Sequence, residues 1–271
     1  MIEQKARVAT TDYQRTRDAV ETVAGSIAEM LRHAPDTSVR IPNWNWTVGE
    51  GGAHLVATQD VYRDGLKGHT GPYGDGHADA FDAVNKHMLV AFGERDGATL
   101  ADMLVDRTRS FLKESAQYPE NHRIPYHWPM DLPTWTSYML VHLLMHGWPI
   151  AKALDRPSPL EPAHTDLAVP FFKVVMPAIF DKEAAKGLKA NLEVRLRGGR
   201  RFTVAFKGES VTVEDTPPGR VDCHLSADPV AFFLVSLGLV GQWGQIAQGK
   251  LMTWGRKPWL ALQFKSFFQG R

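Results

Sequence analysis

Two histidines four residues apart could hold a metal ion. His142 and His146 lie in an apolar segment whose spacing predicts a helix. Side chains four residues apart lie on the same face of a helix, one turn apart, so both rings can reach one cation. His142 stands between Val141 and Leu143, and a polar ring on an apolar face needs a partner, which a shared metal would provide. The alternative is that the pair faces solvent or a linker. The spacing alone is weak evidence, because eleven histidines give about half an occurrence of it by chance.

The segments around this pair predict a helical bundle. Apolar residues recur at helical spacing over residues 8–31, 78–92, 99–116 and 131–150. Four or five helices joined by loops make a bundle the simplest fold. We predict that this helical domain spans residues 1–156.

A capping box marks the start of a further helix. Thr47 is followed three residues later by Glu50, a pairing in which each side chain accepts a hydrogen bond from the other residue's backbone N–H. Glycines at positions 49, 51 and 52 weaken a helix, or they let a neighbouring helix or a ligand come close. His54 lies just after this start, beside Leu55 and Val56. A lone histidine on an apolar face is more often a hydrogen-bonded core residue than a ligand.

The pattern changes after a proline-rich linker at residues 155–164. Apolar residues alternate at 192–196 and 202–206, with Gly198-Gly199 between them, which predicts a β-hairpin. The other predicted elements are helices at residues 169–186 and 258–268, strands at 211–213 and 223–226, and a helix that begins at Asp228-Pro229. The second domain, residues 168–271, is therefore predicted to be α+β, a small sheet covered by helices.

Composition argues against several classes of protein. The 271 residues carry a formal net charge of +1, so no bulk charge attracts the chain to nucleic acid or to an acidic membrane. No uninterrupted apolar run is long enough to span a bilayer, and residues 1–13 lack the apolar core of a signal peptide. Cys223 is the single cysteine, so no disulfide can form within the chain. We expect a cytoplasmic protein that binds neither nucleic acid nor a membrane.

The candidate histidines lie in two short segments, Trp46-Thr-Val-Gly-Glu-Gly-Gly-Ala-His54-Leu-Val and His142-Leu-Leu-Met-His146-Gly-Trp148. These segments resemble the two signatures of the mycothiol-dependent maleylpyruvate isomerase family. That family belongs to the DinB-like group of metal-binding four-helix bundles, and residues 81–85 resemble the segment between the signatures. The resemblance implies a DinB-like four-helix bundle in which His54 and His146 bind the metal.

The chain departs from this family at two positions of the second signature. His142 replaces the family's glutamate ligand, and Pro149 stands at a position that is commonly aspartate. Three histidines serve as ligands in other DinB-like relatives, so the resemblance implies a site of His54, His142 and His146. Three neutral ligands leave a divalent ion its whole charge, which draws the proton from a bound thiol more strongly. Pro149 is expected to kink or end its helix, because it removes a backbone hydrogen bond.

The second domain resembles the sterol-carrier-like α+β domain that often follows the bundle in this family. The resemblance rests on the order of strands and on the residues Gly249-Lys-Leu and Gly255-Arg256-Lys257-Pro258. Arg256 and Lys257 are candidates for binding a substrate carboxylate across a domain cleft. Asn85, on the third helix, is a candidate hydrogen-bond partner for a polar thiol. The alternative for each of the three is an exposed residue without a ligand.

The resemblance implies mycothiol as an external cosubstrate. Three protein ligands leave an open position on a metal, the arrangement of catalytic sites, and a thiol that coordinates there is deprotonated. We expect a divalent metal, zinc first, with nickel, iron and copper also suited to imidazole. Because the single cysteine lies in the second domain, we predict that the reactive sulfur belongs to the cosubstrate. The predicted function is S-transfer or thiol exchange on a small electrophilic metabolite.

Three alternatives stay open. The same thiol could add to a conjugated double bond and leave again, which would make the protein a cis–trans isomerase of the maleylpyruvate type. The chain could instead be a non-catalytic binder of a small ligand, with a structural metal. The third alternative is a regulatory protein with a vestigial site. Loss of the fold on removal of the metal would indicate a structural role.

Overall fold

The structure of the chain, a computed structural model, describes residues 2–73, 78–128 and 130–268. The chain folds into two units, Met1–Leu160 and Glu161–Arg271. The first is largely helical and the second combines helices with a sheet, so the predicted mixture of helices and sheet is confirmed. The DinB-like and sterol-carrier-like assignments, and the boundaries 1–156 and 168–271, stay predictions. Among the described residues, no helix has the length and apolar character needed to cross a membrane.

Helices make up most of the first unit. They are α1 (Ile2–Arg32), α2 (Val48–Leu66), α3 (Ala78–Ala91), α4 (Gly97–Ser115) and α5 (Leu132–Ala153). α1 packs against α4 and α5, and α2 packs against α3, α4 and α5. The interior between them is apolar, and Leu31, Leu104 and Phe111 are fully buried in it. Most of the burial that stabilises this unit is therefore independent of its polar residues.

Polar side chains explain where three of these helices begin. The Thr47 hydroxyl accepts a hydrogen bond from the N–H of Glu50 at 3.2 Å, and the Glu50 carboxylate accepts one from the N–H of Thr47 at 2.7 Å. The predicted capping box of α2 is thus confirmed. Asp96 and Asp131 cap α4 and α5, and each accepts from the backbone N–H three residues later. α2 and α5 carry the candidate metal ligands. Their caps therefore fix the starts of the two helices that position those ligands.

Glycines let α2 approach its neighbours closely. A Cβ at Gly51 would lie 3.0 Å from a methyl group of Ile41 and 3.2 Å from one of Ile150. A Cβ at Gly52 would lie 3.1 Å from both methyl groups of Leu31. These separations are shorter than ordinary van der Waals contact, so the glycines have the packing role that the sequence left as one alternative.

α5 continues past Pro149, so of the two predicted effects, a kink or an end of the helix, the end is wrong and the kink stays a prediction. Proline removes the hydrogen bond to the carbonyl of Met145, yet the helix runs on to Ala153. Ile150 is fully buried, and its carbonyl accepts a hydrogen bond from the N–H of Leu154. Apolar packing of the last turn therefore outweighs the one lost hydrogen bond.

A short antiparallel pair lies in the segment between α4 and α5, which the sequence predicts to be a loop. Its strands are β1 (Arg123–Ile124) and β2 (Met130–Asp131). Strands of two residues are too short to produce an alternating pattern. The pair leads directly into α5, and Tyr126 lies between its strands.

A five-stranded sheet is the centre of the second unit, with strand order β5-β4-β3-β6-β7. Its strands are β3 (Lys189–Leu196), β4 (Arg201–Lys207), β5 (Val211–Glu214), β6 (Cys223–Ala227) and β7 (Leu251–Gly255). The predicted hairpin is confirmed, because β3 and β4 pair antiparallel across a turn in which Gly198 has a φ of +75°. β6 pairs parallel to β3, and β7 is a strand that the sequence pattern does not predict.

Helices pack against this sheet and against each other. They are α6 (Pro162–Ala178), α7 (Pro229–Ser236), α8 (Gln242–Ala247) and α9 (Trp259–Leu262), followed by a 3₁₀ turn at Phe264–Phe268. The helix predicted at 169–186 is displaced, since it begins at Pro162, where proline suits the first turn. The helix predicted at 258–268 is wrong as one element. A 3₁₀ turn places residues three apart on one side, and it buries both Phe264 and Phe267.

Replacement of Gly97 by alanine should destabilise the first unit. A Cβ at Gly97 would overlap the backbone carbonyl oxygen of Leu31, which cannot move without shifting α1 from α4. We expect the free energy of unfolding to fall by roughly 1–3 kcal/mol, measured by urea denaturation. The matched control is Gly25→Ala, in the middle of α1, where a Cβ meets nothing within 4 Å. That variant should gain about 1 kcal/mol, and equal effects at the two positions would contradict the packing described.

Candidate metal centre

His54 of α2 and His142 and His146 of α5 converge in the interior of the first unit. Each offers one ring nitrogen, and the three atoms lie within 4.8 Å of one another. The Nε2 atoms of His54 and His142 are 2.9 Å apart, while two nitrogens that bind one zinc ion tetrahedrally lie about 3.3 Å apart. The residues are 2%, 7% and 5% exposed. Rings from two distant segments of the chain therefore meet at one point, as a metal site requires.

Burial keeps all three imidazoles neutral. It lowers the pKa of His142 to about 3, and it lowers the pKa of His54 and of His146 well below the ordinary value. Repulsion from the neighbouring histidines lowers the pKa of these two further. A neutral imidazole has the lone pair that a metal ion needs, so no proton competes for it at neutral pH.

Each of the three rings also has a buried Nδ1 atom without a hydrogen-bond partner. A buried polar atom left unpaired costs about 1–3 kcal/mol, and this cluster contains three of them. Hydrogen bonds within the described part of the chain therefore do not satisfy these rings. The donor set fits a cation, because three neutral nitrogen ligands suit divalent transition metals.

Two tryptophans from the loop before α2 lie against the histidines. The Trp46 ring stacks on the His146 ring with centroids 5.7 Å apart, and it lies 4.9 Å from the His54 ring. The Trp44 ring meets the His146 ring edge-on at 5.0 Å. These rings are apolar and exclude water from one side of the cluster, which strengthens electrostatic interactions there.

One face of α2 and one face of α5 supply half of the described residues that line the site. The α2 residues that line it are His54, Thr58, Val61 and Tyr62, and the α5 residues are Trp135, Tyr138, His142, Met145 and His146. Residues spaced by three and four share one face of a helix. The same spacing that predicts a buried helix face therefore also produces the site.

A cavity of about 430 Å³ opens beside the histidines. Its remaining walls come from residues 43–46, from Tyr73 and Tyr126, and from Phe81, Asp82 and Asn85 of α3. This volume is in the range of small-molecule sites. The histidines are therefore accessible to a small ligand although their own exposure is low.

Tyrosines line part of the cavity, and the sequence reasoning missed them. The side chain of Tyr138 makes hydrogen bonds with those of Tyr62 and Tyr126. Burial raises the pKa of Tyr138 to about 12 and raises that of Tyr62 well above its ordinary value, so both stay protonated. Spacing could have revealed two of them, because Tyr138 precedes His142 by one turn and Tyr62 follows His54 by two.

Asn85, a predicted substrate-binding residue, lines the same cavity as the histidines. Its Oδ1 atom accepts a hydrogen bond from the Tyr73 hydroxyl at 3.1 Å. This bond occupies the side-chain oxygen, so the group that Asn85 can offer to a ligand is its NH₂ group, a hydrogen-bond donor. Binding of a thiol by Asn85 stays a prediction.

Arg256 and Lys257 lie in the second unit and make contacts within it. Arg256 forms an ion pair with Asp222, and the Lys257 ammonium donates to the carbonyl of Lys189 at 3.2 Å. Neither residue is among those that line the cavity. Substrate binding by this pair stays a prediction, and the contacts found hold the turn after β7.

Cys223 is fully buried in β6, where its sulfur lies 3.4 Å from the Thr253 hydroxyl. Burial raises the pKa of this thiol. A reactive cysteine needs the opposite, a lowered pKa and solvent access. The chain's own sulfur is therefore not activated for nucleophilic chemistry.

Comparison with known proteins gives distant structural likeness and no sequence match. No protein-family model matches the chain, and no curated protein matches it significantly. Two crystal structures of mycothiol-dependent maleylpyruvate isomerase, one a histidine-to-alanine mutant, are 11% and 8% identical, with TM-scores of 0.44 and 0.46. Each alignment covers 82% of this chain and 87% of the other. An inverting sec-alkylsulfatase from a Pseudomonas species has 12% identity and a TM-score of 0.33 over 82% of this chain and 32% of its own. These values are too low to assign a family or an activity.

Removal of the α2 cap should loosen the helix that carries His54. Thr47→Ala deletes the hydroxyl that accepts the Glu50 N–H, and we expect a loss of about 1 kcal/mol in the free energy of unfolding. Thr47→Ser keeps that hydroxyl and should lose far less. Urea denaturation measures both variants. Equal losses would show that the methyl group of Thr47, and not its cap, stabilises the start of α2.

Proposed function

We propose that His54, His142 and His146 bind one divalent metal ion and that the protein uses it to activate a small thiol for S-transfer to an electrophilic metabolite. The convergence of three buried, neutral imidazoles beside a cavity is the observation that carries this proposal. Structural zinc sites usually have four protein ligands, whereas catalytic sites have three and an open position. Among the described residues, the cluster contains these three candidate ligands.

A divalent ion held here would act as a Lewis acid and lower the pKa of a coordinating thiol, so that it reacts as a thiolate. The chain's own residues supply what surrounds that reaction. Trp44 and Trp46 exclude water beside His146, and burial keeps the imidazoles free of protons. The cavity opens beside the three histidines, so a small ligand can reach them.

The reactive sulfur has to come from outside the chain, because Cys223 is buried and lies in the second unit. The resemblance of the two histidine segments to a mycothiol-dependent family makes mycothiol our choice of thiol. Asn43, Asn45 and Asn85 line the cavity and offer hydrogen bonds to a polar cosubstrate of this kind. Zinc is our choice of metal, and nickel, iron and copper fit the same ligands.

S-transfer and cis–trans isomerisation share their first step, attack by the thiol on an electrophilic carbon. Product analysis with mycothiol separates them. Accumulation of an S-conjugate supports S-transfer. Isomerisation of maleylpyruvate without any S-conjugate would overturn it in favour of the isomerase.

Single replacement of each ligand should abolish metal binding. In His54→Ala, His142→Ala and His146→Ala we expect the metal content to fall from about one ion per chain to near zero, because two remaining imidazoles are too few for a stable site. The control is His69→Ala, whose side chain is 67% exposed and outside the cluster. Elemental analysis of the purified variants gives the content, and circular dichroism checks the fold. Full metal content in any of the three ligand variants would remove that residue from the site.

Chelation of the metal should leave the helices in place. The apolar contacts among α1, α2, α4 and α5 do not involve the ligands, so we expect unchanged helical circular dichroism. The melting temperature should fall, because a ligand present at 100 times its Kd stabilises a protein by about 2.7 kcal/mol. Mycothiol binding, measured by calorimetry, should disappear and return when zinc is restored. Loss of the helical signal on chelation would instead indicate a structural metal.

A further inference from the structure

Exposed apolar side chains cluster near the end of the second unit. Among the described residues, seven large apolar side chains are exposed, and five of them lie within residues 243–262. Trp243 of α8 is 66% exposed and Trp259 of α9 is 52% exposed, although tryptophan is highly buried on average. A cluster of exposed apolar residues, unlike one that stands alone, indicates an interaction surface.

Two separate segments of the chain form this surface. The side-chain nitrogen of Gln242, at the start of α8, donates a hydrogen bond to the carbonyl of Leu262, at the end of α9, at 3.0 Å. Leu262 is exposed, and Trp259 precedes it by three residues in α9. None of the six residues of α8 is buried, so this helix covers no core of its own. The α8–α9 surface is made of Trp243, Ile246, Trp259 and Leu262.

The charge of this part of the chain is positive. Residues 229–271 contain five lysines and arginines and no aspartate or glutamate. They therefore carry a formal charge of +5 within a chain whose net charge is +1, and residues 1–228 sum to −4. Our expectation that an acidic membrane does not attract the protein was based on the total charge, which conceals this separation.

Two lysines beside the α8–α9 surface form no ion pair with the described residues. Lys250 is exposed and lies three residues after the end of α8. Lys265 is exposed and follows α9, and a Cβ at Gly238, before α8, would lie 3.2 Å from its ammonium nitrogen. Arg256, in contrast, is neutralised by its ion pair with Asp222. Two free ammonium groups therefore flank the exposed apolar side chains.

Charge and side-chain type together select the occupant of this surface. A second copy of the chain would place like charges against each other across a twofold contact, which is unfavourable. Single-stranded nucleic acid needs a basic groove that follows its backbone, and two lysines do not form one. An anionic phospholipid membrane attracts lysines near its surface, and tryptophan rings favour the level of its headgroups. A lipid surface therefore fits the α8–α9 surface best.

We propose that the α8–α9 surface binds an anionic phospholipid membrane peripherally. Trp243, Trp259 and Leu262 insert at the level of the headgroups, and Lys250 and Lys265 lie beside lipid phosphates. Such binding uses one face of a membrane and needs no spanning helix. It is independent of the proposed thiol chemistry, because the three histidines lie in the first unit.

The test is co-sedimentation of the full chain with vesicles of phosphatidylcholine, either alone or mixed with phosphatidylglycerol. At low salt, two lysines should make binding to the anionic vesicles about 25-fold tighter, and high salt should remove this difference by screening. Lys250→Gln and Lys265→Gln should each weaken anionic binding about fivefold, and Trp243→Gln should weaken it about tenfold. The matched control is Val90→Gln in α3, an exposed apolar residue of the first unit, which should leave the affinity unchanged.

Three results would overturn the proposal. They are absence of vesicle binding, equal affinity for neutral and anionic vesicles, and unchanged affinity of Trp243→Gln. A dimer in sedimentation velocity that Trp243→Gln dissociates, without vesicle binding, would assign the surface to a second copy instead. The lysine variants keep every apolar contact, so they test the proposal even if Trp243→Gln alters circular dichroism. Metal content should match wild type in every variant, so failure of the thiol chemistry would leave the vesicle result unaffected.

Discussion

Three imidazole rings meet in the interior of the first unit, where burial holds them neutral and leaves their Nδ1 atoms without partners. This arrangement is unfavourable in itself, since each unpaired buried atom costs about 1–3 kcal/mol. The unit can contain it because α1, α2, α4 and α5 bury an extensive apolar interior elsewhere, and burial of apolar surface dominates folding free energy. Structures commonly accept such a local cost at functional sites. The helices therefore provide the stability, and the histidines provide converging ring nitrogens that can bind a cation.

The two helix faces that carry the histidines also carry Tyr62 and Tyr138, so the cavity has two chemically different ends. Lone pairs of His54, His142 and His146 lie at one end, and the hydroxyls around Tyr138 lie one turn away. Both sets are uncharged, since burial lowers the pKa of the histidines and raises the pKa of Tyr62 and Tyr138.

The sequence predicted the parts of the site that depend on local chain geometry. His142 and His146 share a face because a helix repeats every 3.6 residues, and the capping box of Thr47 and Glu50 depends on residues three apart. His54 was different, since its spacing alone favours a core histidine, and only the resemblance of its segment to a known family suggested a ligand. Tyr126 could not be placed, because it lies between two strands too short to show a pattern. Contacts between distant segments, such as the pairing of Arg256 with Asp222, are equally invisible to local patterns.

The histidine at position 142 separates this site from the family that its two histidine segments resemble, because that family has a glutamate at this position. Burial lowers the pKa of His142 to about 3, so its imidazole is neutral, and it lies 2.9 Å from the His54 ring nitrogen. A carboxylate in its place would bring a negative charge into the same buried cluster, and it would reduce the net charge of any divalent ion bound there. Three neutral ligands would leave such an ion its full charge, which favours ionisation of a coordinating thiol.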